Sequence, residues 1–140
     1  MKDDCCAPKG DFDLAVIGAG SAGFSAAITA AEGGKRVALI GHGTIGGTCV
    51  NVGCVPSKTM IRAAEALHGA QTAHRFPGLN SEAQVADWSP LIAAKDDLVA
   101  TLRQKKYADL LPGYGGVTYL DEGPARLVLG GVEVGGRRIT

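Results

Sequence analysis

The 140-residue sequence carries no excess of charge of either sign, with 14 Lys+Arg against 14 Asp+Glu. That excludes the basic stripe on which a nucleic-acid or anionic-membrane binder depends. No apolar run is long enough to span a bilayer: the most apolar stretch, Ala22 to Ala31, is short, Ala-rich and stopped by Glu32. No apolar h-region follows Met1-Lys2-Asp3-Asp4, so the N-terminus does not read as a signal peptide, and a cytoplasmic protein is expected. There is no internal repeat. Cysteine is scarce at four residues, too few for a disulfide framework in a reducing compartment and better suited to metal or redox chemistry. What is present is the composition of a globular domain, 46% hydrophobic and 20% charged. Glycine is plentiful at 21 residues and gathers at turns, as it does where backbone must approach a ligand.

Along the chain, residues 1–10 read as a polar tail containing Cys5 and Cys6, and residues 11–140 as one α/β domain. Asp11 to Ile17 is an apolar run ending at Gly18, expected to be a buried parallel strand. Ser21 to Glu32 reads as a helix closed by Gly33-Gly34, and Arg36 to Ile40 as a second buried strand. Together they make one βαβ unit. A glycine-rich loop, Gly41 to Gly47, leads into a helix over roughly Thr48 to Gly69, followed by an irregular segment from Gln71 to Asp87. A long amphipathic helix is expected next, with Ser89 as N-cap, Pro90 at its first position and Leu91, Ala94, Leu98 and Leu102 on one face. That stripe and Trp88 read as core. The helix ends near Leu111-Pro112-Gly113, and Val117–Leu120, Ala125–Leu129 and Val132–Ile139 read as the strands of a β-meander. The sequence ends in a strand, which reads as a fragment of a longer protein.

Gly18-Ala19-Gly20-Ser21-Ala22-Gly23 is a G-x-G-x-x-G that follows a strand and opens a helix. Its first glycine permits the tight turn, the second lets backbone approach a pyrophosphate, and the third lets helix pack on strand. The helix start adds unpaired N–H groups and the positive end of its dipole, so a dinucleotide site is expected here rather than a turn with only a packing role. One piece is missing. The acid that ordinarily holds a ribose hydroxyl about 20 positions on, at the end of the second strand, is replaced by Gly41-His42. Either His42 or backbone takes that part, or ribose binding is weaker.

Cys49 and Cys54 stand five apart near the start of a helix. A regular helix puts i and i+5 on different faces, so the first turn must be irregular for the sulfurs to meet. The helix start is expected to favour thiolate and lower the pKa of one or both sulfurs. A structural zinc site would need four matched ligands, which His42 and His68 do not supply. His68 and His74 read as a helix end and a loop, and no local signal assigns a role to Tyr107.

Gly46-Gly47-Thr48-Cys49-Val50-Asn51-Val52-Gly53-Cys54-Val55-Pro56-Ser57-Lys58 resembles the redox-active disulfide signature of the pyridine nucleotide-disulfide oxidoreductases. Thr44-Ile45 before the signature, Thr59 to Glu65 after it, Leu102 to Tyr107 and Gly123 to Arg126 are most similar to the mercuric reductase branch. The resemblance runs from about Phe12 to about Leu129. It implies a partial Rossmann-like FAD-binding domain, with the NADPH-binding and dimerisation domains absent and with homodimers at full length. It further implies that Gly18, Gly20, Ser21, Ala22 and Gly23 hold the FAD pyrophosphate, with Gly47 and Thr48 lining the flavin. By the same resemblance Cys49 is the outer interchange thiol and Cys54 the thiolate lying against the flavin. Lys58 sits near the ring, where the bland alternative is a solvated helix residue.

The implied reaction is FAD-dependent reduction of Hg(II), bound by Cys49 and Cys54, to Hg(0), with NADPH as donor and with no turnover by this chain alone. Soft thiolates suit so soft a cation. Cys5 and Cys6 are either a metal relay or an idle tail. Two alternatives stand beside this reading: another disulfide reductase, of the glutathione reductase or dihydrolipoamide dehydrogenase kind, and a non-catalytic thiol or metal-binding module.

Overall fold

The computed structural model describes residues 10–140, so Cys5 and Cys6 lie outside the described residues. The chain divides into two compact units, one made of the segments up to Gly47 and from Lys105 onward, the other of Thr48–Gln104. Among the described residues no helix is long and apolar enough to cross a membrane.

The first unit is α/β. Strands β1 (Leu14–Ile17), β2 (Val37–Ile40) and β3 (Val117–Leu120) form a parallel sheet in the order β1-β2-β3, with helix α1 (Ser21–Glu32) crossing over from β1 to β2. Alternation along β2 divides its side chains between two faces. Ala38 and Ile40 join Leu120, Val132, Val134 and Ile139 in the core, and Val37 and Leu39 are equally buried on the opposite face. Helix α1 packs on β1 and β2 and buries Phe24 and Ala27. Its C-terminus is capped at Gly33, and Gly34 takes the left-handed conformation (φ 77°) that glycine adopts without a Cβ penalty.

Three sequence expectations are corrected in this unit. β1 is not a buried strand: it pairs with β2 alone, at the sheet edge, and Ile17 is 54% exposed. Residues 11–13 are tied down by Arg36 instead of pairing as strand. Its backbone N–H donates to the Asp13 carboxylate at 2.8 Å and its guanidinium to the Asp11 carbonyl at 2.7 Å. Those contacts with Arg36, the backbone one first, hold the Asp13 carboxyl below its ordinary pKa. Their contribution is present at neutral pH and lost as pH falls through that lowered range. Val117–Leu120 belongs to the parallel sheet, because its backbone pairs with β2. The meander is β4 (Arg126–Val128), β5 (Gly131–Val134) and β6 (Arg137–Ile139); Gly135 and Gly136, both at positive φ, split the single strand expected over Val132–Ile139.

The second unit is helical: α2 (Gly47–Asn51), α3 (Cys54–Gln71), a 3-10 turn over Ala73–Arg75, and α4 (Trp88–Arg103), which packs against α3. The helix expected over Thr48–Gly69 is therefore two helices. α4 starts two residues earlier than the Ser89 cap implied. Asp87 is the N-cap, its carboxylate accepting from the Ser89 N–H at 2.8 Å, which leaves Pro90 within the first turn where no N–H is needed. The expected stripe is displaced too: Val99 is the buried residue of α4, Leu98 is 40% exposed, and Trp88 is 58% exposed and so not core. Beyond Arg103 the backbone widens into a π turn over Gln104–Ala108, which buries Tyr107, and a 3-10 turn follows at Leu111–Gly113.

Removing the Asp87 carboxylate orphans a helix N–H. Asp87→Ala is expected to cost about 1 kcal/mol and to lower the melting temperature by roughly 2–4 °C. An unchanged melting curve by circular dichroism at 222 nm (the helix band) would remove Asp87 as the cap.

Candidate active site

In the first unit the glycine loop is shaped by approaches that leave no room for side chains. Gly18 has φ 114° with nothing within 4 Å of where its Cβ would be, so that side of the loop is open. A Cβ on Gly23 would run into the Gly18 carbonyl oxygen. Facing the loop is the strip Gly46-Gly47: the Gly46 N–H donates to the Ala19 carbonyl at 2.9 Å and Gly20 forms a parallel bridge with Gly46. A Cβ on Gly47 would stand 2.8 Å from the Gly20 Cα. Helix α1 then opens with Gly20 as N-cap and no side-chain cap, leaving the N–H groups of its first turn, at Ser21, Ala22 and Gly23, without a side-chain acceptor. No acidic residue occupies that turn. An anion fits such a helix start, and the open Gly18 side admits backbone-close approach, so the residues present fit a dinucleotide pyrophosphate.

Sequence reasoning missed one member of this loop's setting. The Tyr107 hydroxyl lies 2.7 Å from Ser21 Oγ, and its ring meets Phe24 edge-on, 4.9 Å between centroids. The π turn that delivers Tyr107 breaks the 3.6-residue pattern, so no periodicity could have pointed to it.

In the second unit the two cysteines meet across a break. Cys49 lies in α2 and Cys54 is the first residue of α3, with Val52-Gly53 between the helices. Gly53 makes the break possible, since a Cβ there would lie 3.0 Å from the Thr48 carbonyl and 3.4 Å from the Cys49 Cα. Both thiols are free and exposed. Val52 N–H donates to Thr48 O at 3.0 Å, and Ser57 Oγ donates to Gly53 O at 2.8 Å, pinning both sides of the break. Arg103 of α4 donates to Asn51 Oδ1 at 3.0 Å, holding the end of α2. Thr48, in the first turn of α2, is exposed, and so is Lys58, one turn along α3 from Cys54.

The irregular first turn expected from the i, i+5 spacing is thus present; of the two thiols, one or both of which the helix start is expected to lower in pKa, Cys49 is raised. The Cys49 thiol is pushed up, first by its hydrogen bond with Cys54, then by lost hydration and by the charge Cys54 carries when ionised; Lys58 pulls weakly the other way. A thiol that shares its proton with a second thiol holds it to higher pH, and here that outweighs the helix start. The histidines stand apart from the thiol pair, His68 and His74 on a helix end and a turn as the sequence suggests. His68 lies in the last turn of α3, His74 Nδ1–H donates to the Gln71 carbonyl at 3.1 Å, and His42 is exposed in the loop after β2. Among the described residues no three of His, Cys, Asp and Glu gather as a metal site.

The family model described as pyridine nucleotide-disulphide oxidoreductase matches residues 12–140. The chain belongs to this family. Its oxidoreductase relatives include proteins named mercuric reductase: that of Streptomyces lividans is 54% identical over 74% of the chain and 22% of its own length. That of Bacillus cereus is 47% identical over 93% of the chain and 20% of its own length. The chain thus spans about a fifth of the length of these curated relatives. Among solved structures, the Cu(II) complex of the HOCl-induced flavoprotein disulfide reductase RclA from Escherichia coli superposes with a TM-score of 0.70 at 29% identity, over 90% of this chain and 25% of that one. The matched range includes both the glycine loop and the thiol pair across the α2–α3 break.

Because Cys54 is the leading cause of the raised Cys49 pKa, Cys54→Ala should move the pH midpoint of Cys49 alkylation by iodoacetamide downward. The comparison is made on reduced protein carrying Cys5→Ser and Cys6→Ser. A midpoint that stays put or rises would dissociate the two thiols.

Proposed function

We propose that the chain is the FAD- and disulfide-bearing part of a mercuric reductase, in which the Cys49–Cys54 pair binds Hg(II) and holds it while it is reduced. The observation that carries this reading is the meeting of the two thiols across the α2–α3 break. The choice of mercury over an organic disulfide is supported by relatives that bear the name mercuric reductase at 43–54% identity.

Gly18, Gly20, Gly23 and the first N–H groups of α1 would take the FAD pyrophosphate, with Gly47 and Thr48 towards the flavin and Lys58 supplying positive charge near it. When bound, FAD would supply transfer of an electron pair from NADPH to the thiol site. The residues of this chain do the rest. Cys49, the exposed outer thiol, meets the incoming Hg(II) complex, and each sulfur gives up its proton as the metal binds. Two soft thiolates outcompete the ligand the metal arrives with by exchange. Thiolate-bound Hg(II) that takes up two electrons leaves as Hg(0), and both sulfurs remain as thiolates. Lys58 lowers the cost of two neighbouring negative sulfurs, in the sense of its effect on Cys49.

The sign of the Cys49 shift fixes the pH behaviour. Fewer thiolates are present at neutral pH than in a lone-cysteine site, so Hg(II) binding displaces protons and tightens as pH rises through the raised Cys49 pKa.

The decisive spectrum is taken on chain incubated with FAD, desalted, reduced with dithiol and titrated with Hg(II), with Cys5 and Cys6 replaced by Ser. Retained flavin bands are expected, with a long-wavelength thiolate–flavin band lost at one Hg(II) per thiol pair. Cys54→Ser should remove that band and Cys49→Ser should keep it. Flavin retained with a band indifferent to Hg(II) would favour a disulfide substrate, and a colourless protein that still takes up Hg(II) would favour a thiol-binding module.

A further inference from the structure

The carboxyl end of β2 lacks the acid that ordinarily holds the adenosine ribose of a dinucleotide, and the structure shows what stands in its place. Gly41 follows β2 directly. Its N–H donates to the Leu120 carbonyl at 2.8 Å, and the Gly18 N–H donates to the Ile40 carbonyl at 2.8 Å, so Gly41 sits between the cradle strand and β3. This is the end of the parallel sheet where dinucleotide ligands bind. Gly41 is buried, and a side chain there would have to displace the Tyr119 ring: a Cβ would lie 2.8 Å from Tyr119 Cε2, 2.9 Å from the Ala19 Cβ, and would overlap the Tyr119 hydroxyl. The space in which a carboxylate at position 41 would begin is already filled by the phenol of the neighbouring strand.

Tyr119 is in register with Leu39, on the face of β3 opposite to core residue Leu120. Its ring is half-buried, and its hydroxyl makes no hydrogen bond among the described residues. Next to it is Ala19, the residue between the first two glycines of the cradle. The hydroxyl is not enclosed, so it is open to a ligand beside the phosphate loop and can both donate to it and accept from it. Burial first, and the charge of Asp121 second, push the phenol above its ordinary pKa, so it stays a neutral hydroxyl able to donate and accept.

We infer that the Tyr119 hydroxyl, admitted by Gly41, replaces the missing acid as the hydrogen-bond partner of the adenosine ribose hydroxyl. The inference rests on the FAD reading above. It also sets a chemical difference. A carboxylate only accepts and carries charge, whereas one neutral phenol makes a single, weaker contact, worth about three- to tenfold in affinity.

The test measures FAD binding by quenching of flavin fluorescence, with ADP and 2′-deoxy-ADP as competitors. It compares the chain with its Tyr119→Phe and His42→Ala variants, and the melting temperature of each is recorded without ligand. Tyr119→Phe is expected to melt like the parent, to bind FAD about three- to tenfold more weakly, and to lose the preference for ADP over 2′-deoxy-ADP that the parent shows. His42→Ala is expected to keep both. FAD binding unaffected by Tyr119→Phe, or a ribose preference abolished by His42→Ala instead, would overturn the assignment while leaving the FAD reading intact. A parent chain that binds neither FAD nor ADP would overturn both together.

Discussion

Bare backbone packed on bare backbone governs the first unit. Helix α1 can start where it does only because Gly23 has no Cβ to strike the Gly18 carbonyl, and the Gly46-Gly47 strip can lie on the loop only because neither Gly20 nor Gly47 carries a side chain. With those approaches made, the direction of the first α1 N–H groups is set, and with it the place where a phosphate charge is best accommodated. Tyr107 then fixes the first turn from the side, through Ser21 and the edge of Phe24. The loop's affinity for an anion is thus a property of packing before it is a property of charge. No Lys or Arg occurs between Gly18 and Gly34.

The thiol pair depends on a similar economy of atoms at Gly53, but its consequences are electronic. Breaking one helix into two brings Cys54 to Cys49 and lets them share a proton. With its thiol hydrogen-bonded to that of Cys54, Cys49 does not behave as an isolated helix-start cysteine. What suits the pair to two-electron exchange and to a two-coordinate soft metal is therefore what makes Cys49 a poorer nucleophile on its own at neutral pH. Lys58 and Asn51–Arg103 act on the same few residues, one by charge and the other by holding the end of α2.

The parts legible in the sequence were those set by local rules. The cradle, α1 with its glycine stop, β2 and the irregular turn between the cysteines follow from glycine spacing and from the geometry of i, i+5, and each is present. What was misread depends on partners distant in the chain. An apolar run such as Leu14 to Ile17 looks the same at a sheet edge as at its centre, and only pairing tells the two apart. Val117 to Leu120 could join either sheet, and the backbone partner at β2 decided it. The stripe on α4 and the place of Trp88 failed because a small helical unit has too little interior to bury every apolar residue that faces it. Tyr107 and Tyr119 were beyond reach for a further reason: each acquires meaning from one atom of a residue 86 or 78 positions away, Ser21 or Gly41.

Gly41 and Tyr119 also constrain each other. An acid arriving alone at position 41 would collide with the phenol, and a phenol trimmed alone would leave a buried glycine beside a void. The two positions are coupled through one volume: what position 41 can carry is set by the size of the side chain at position 119.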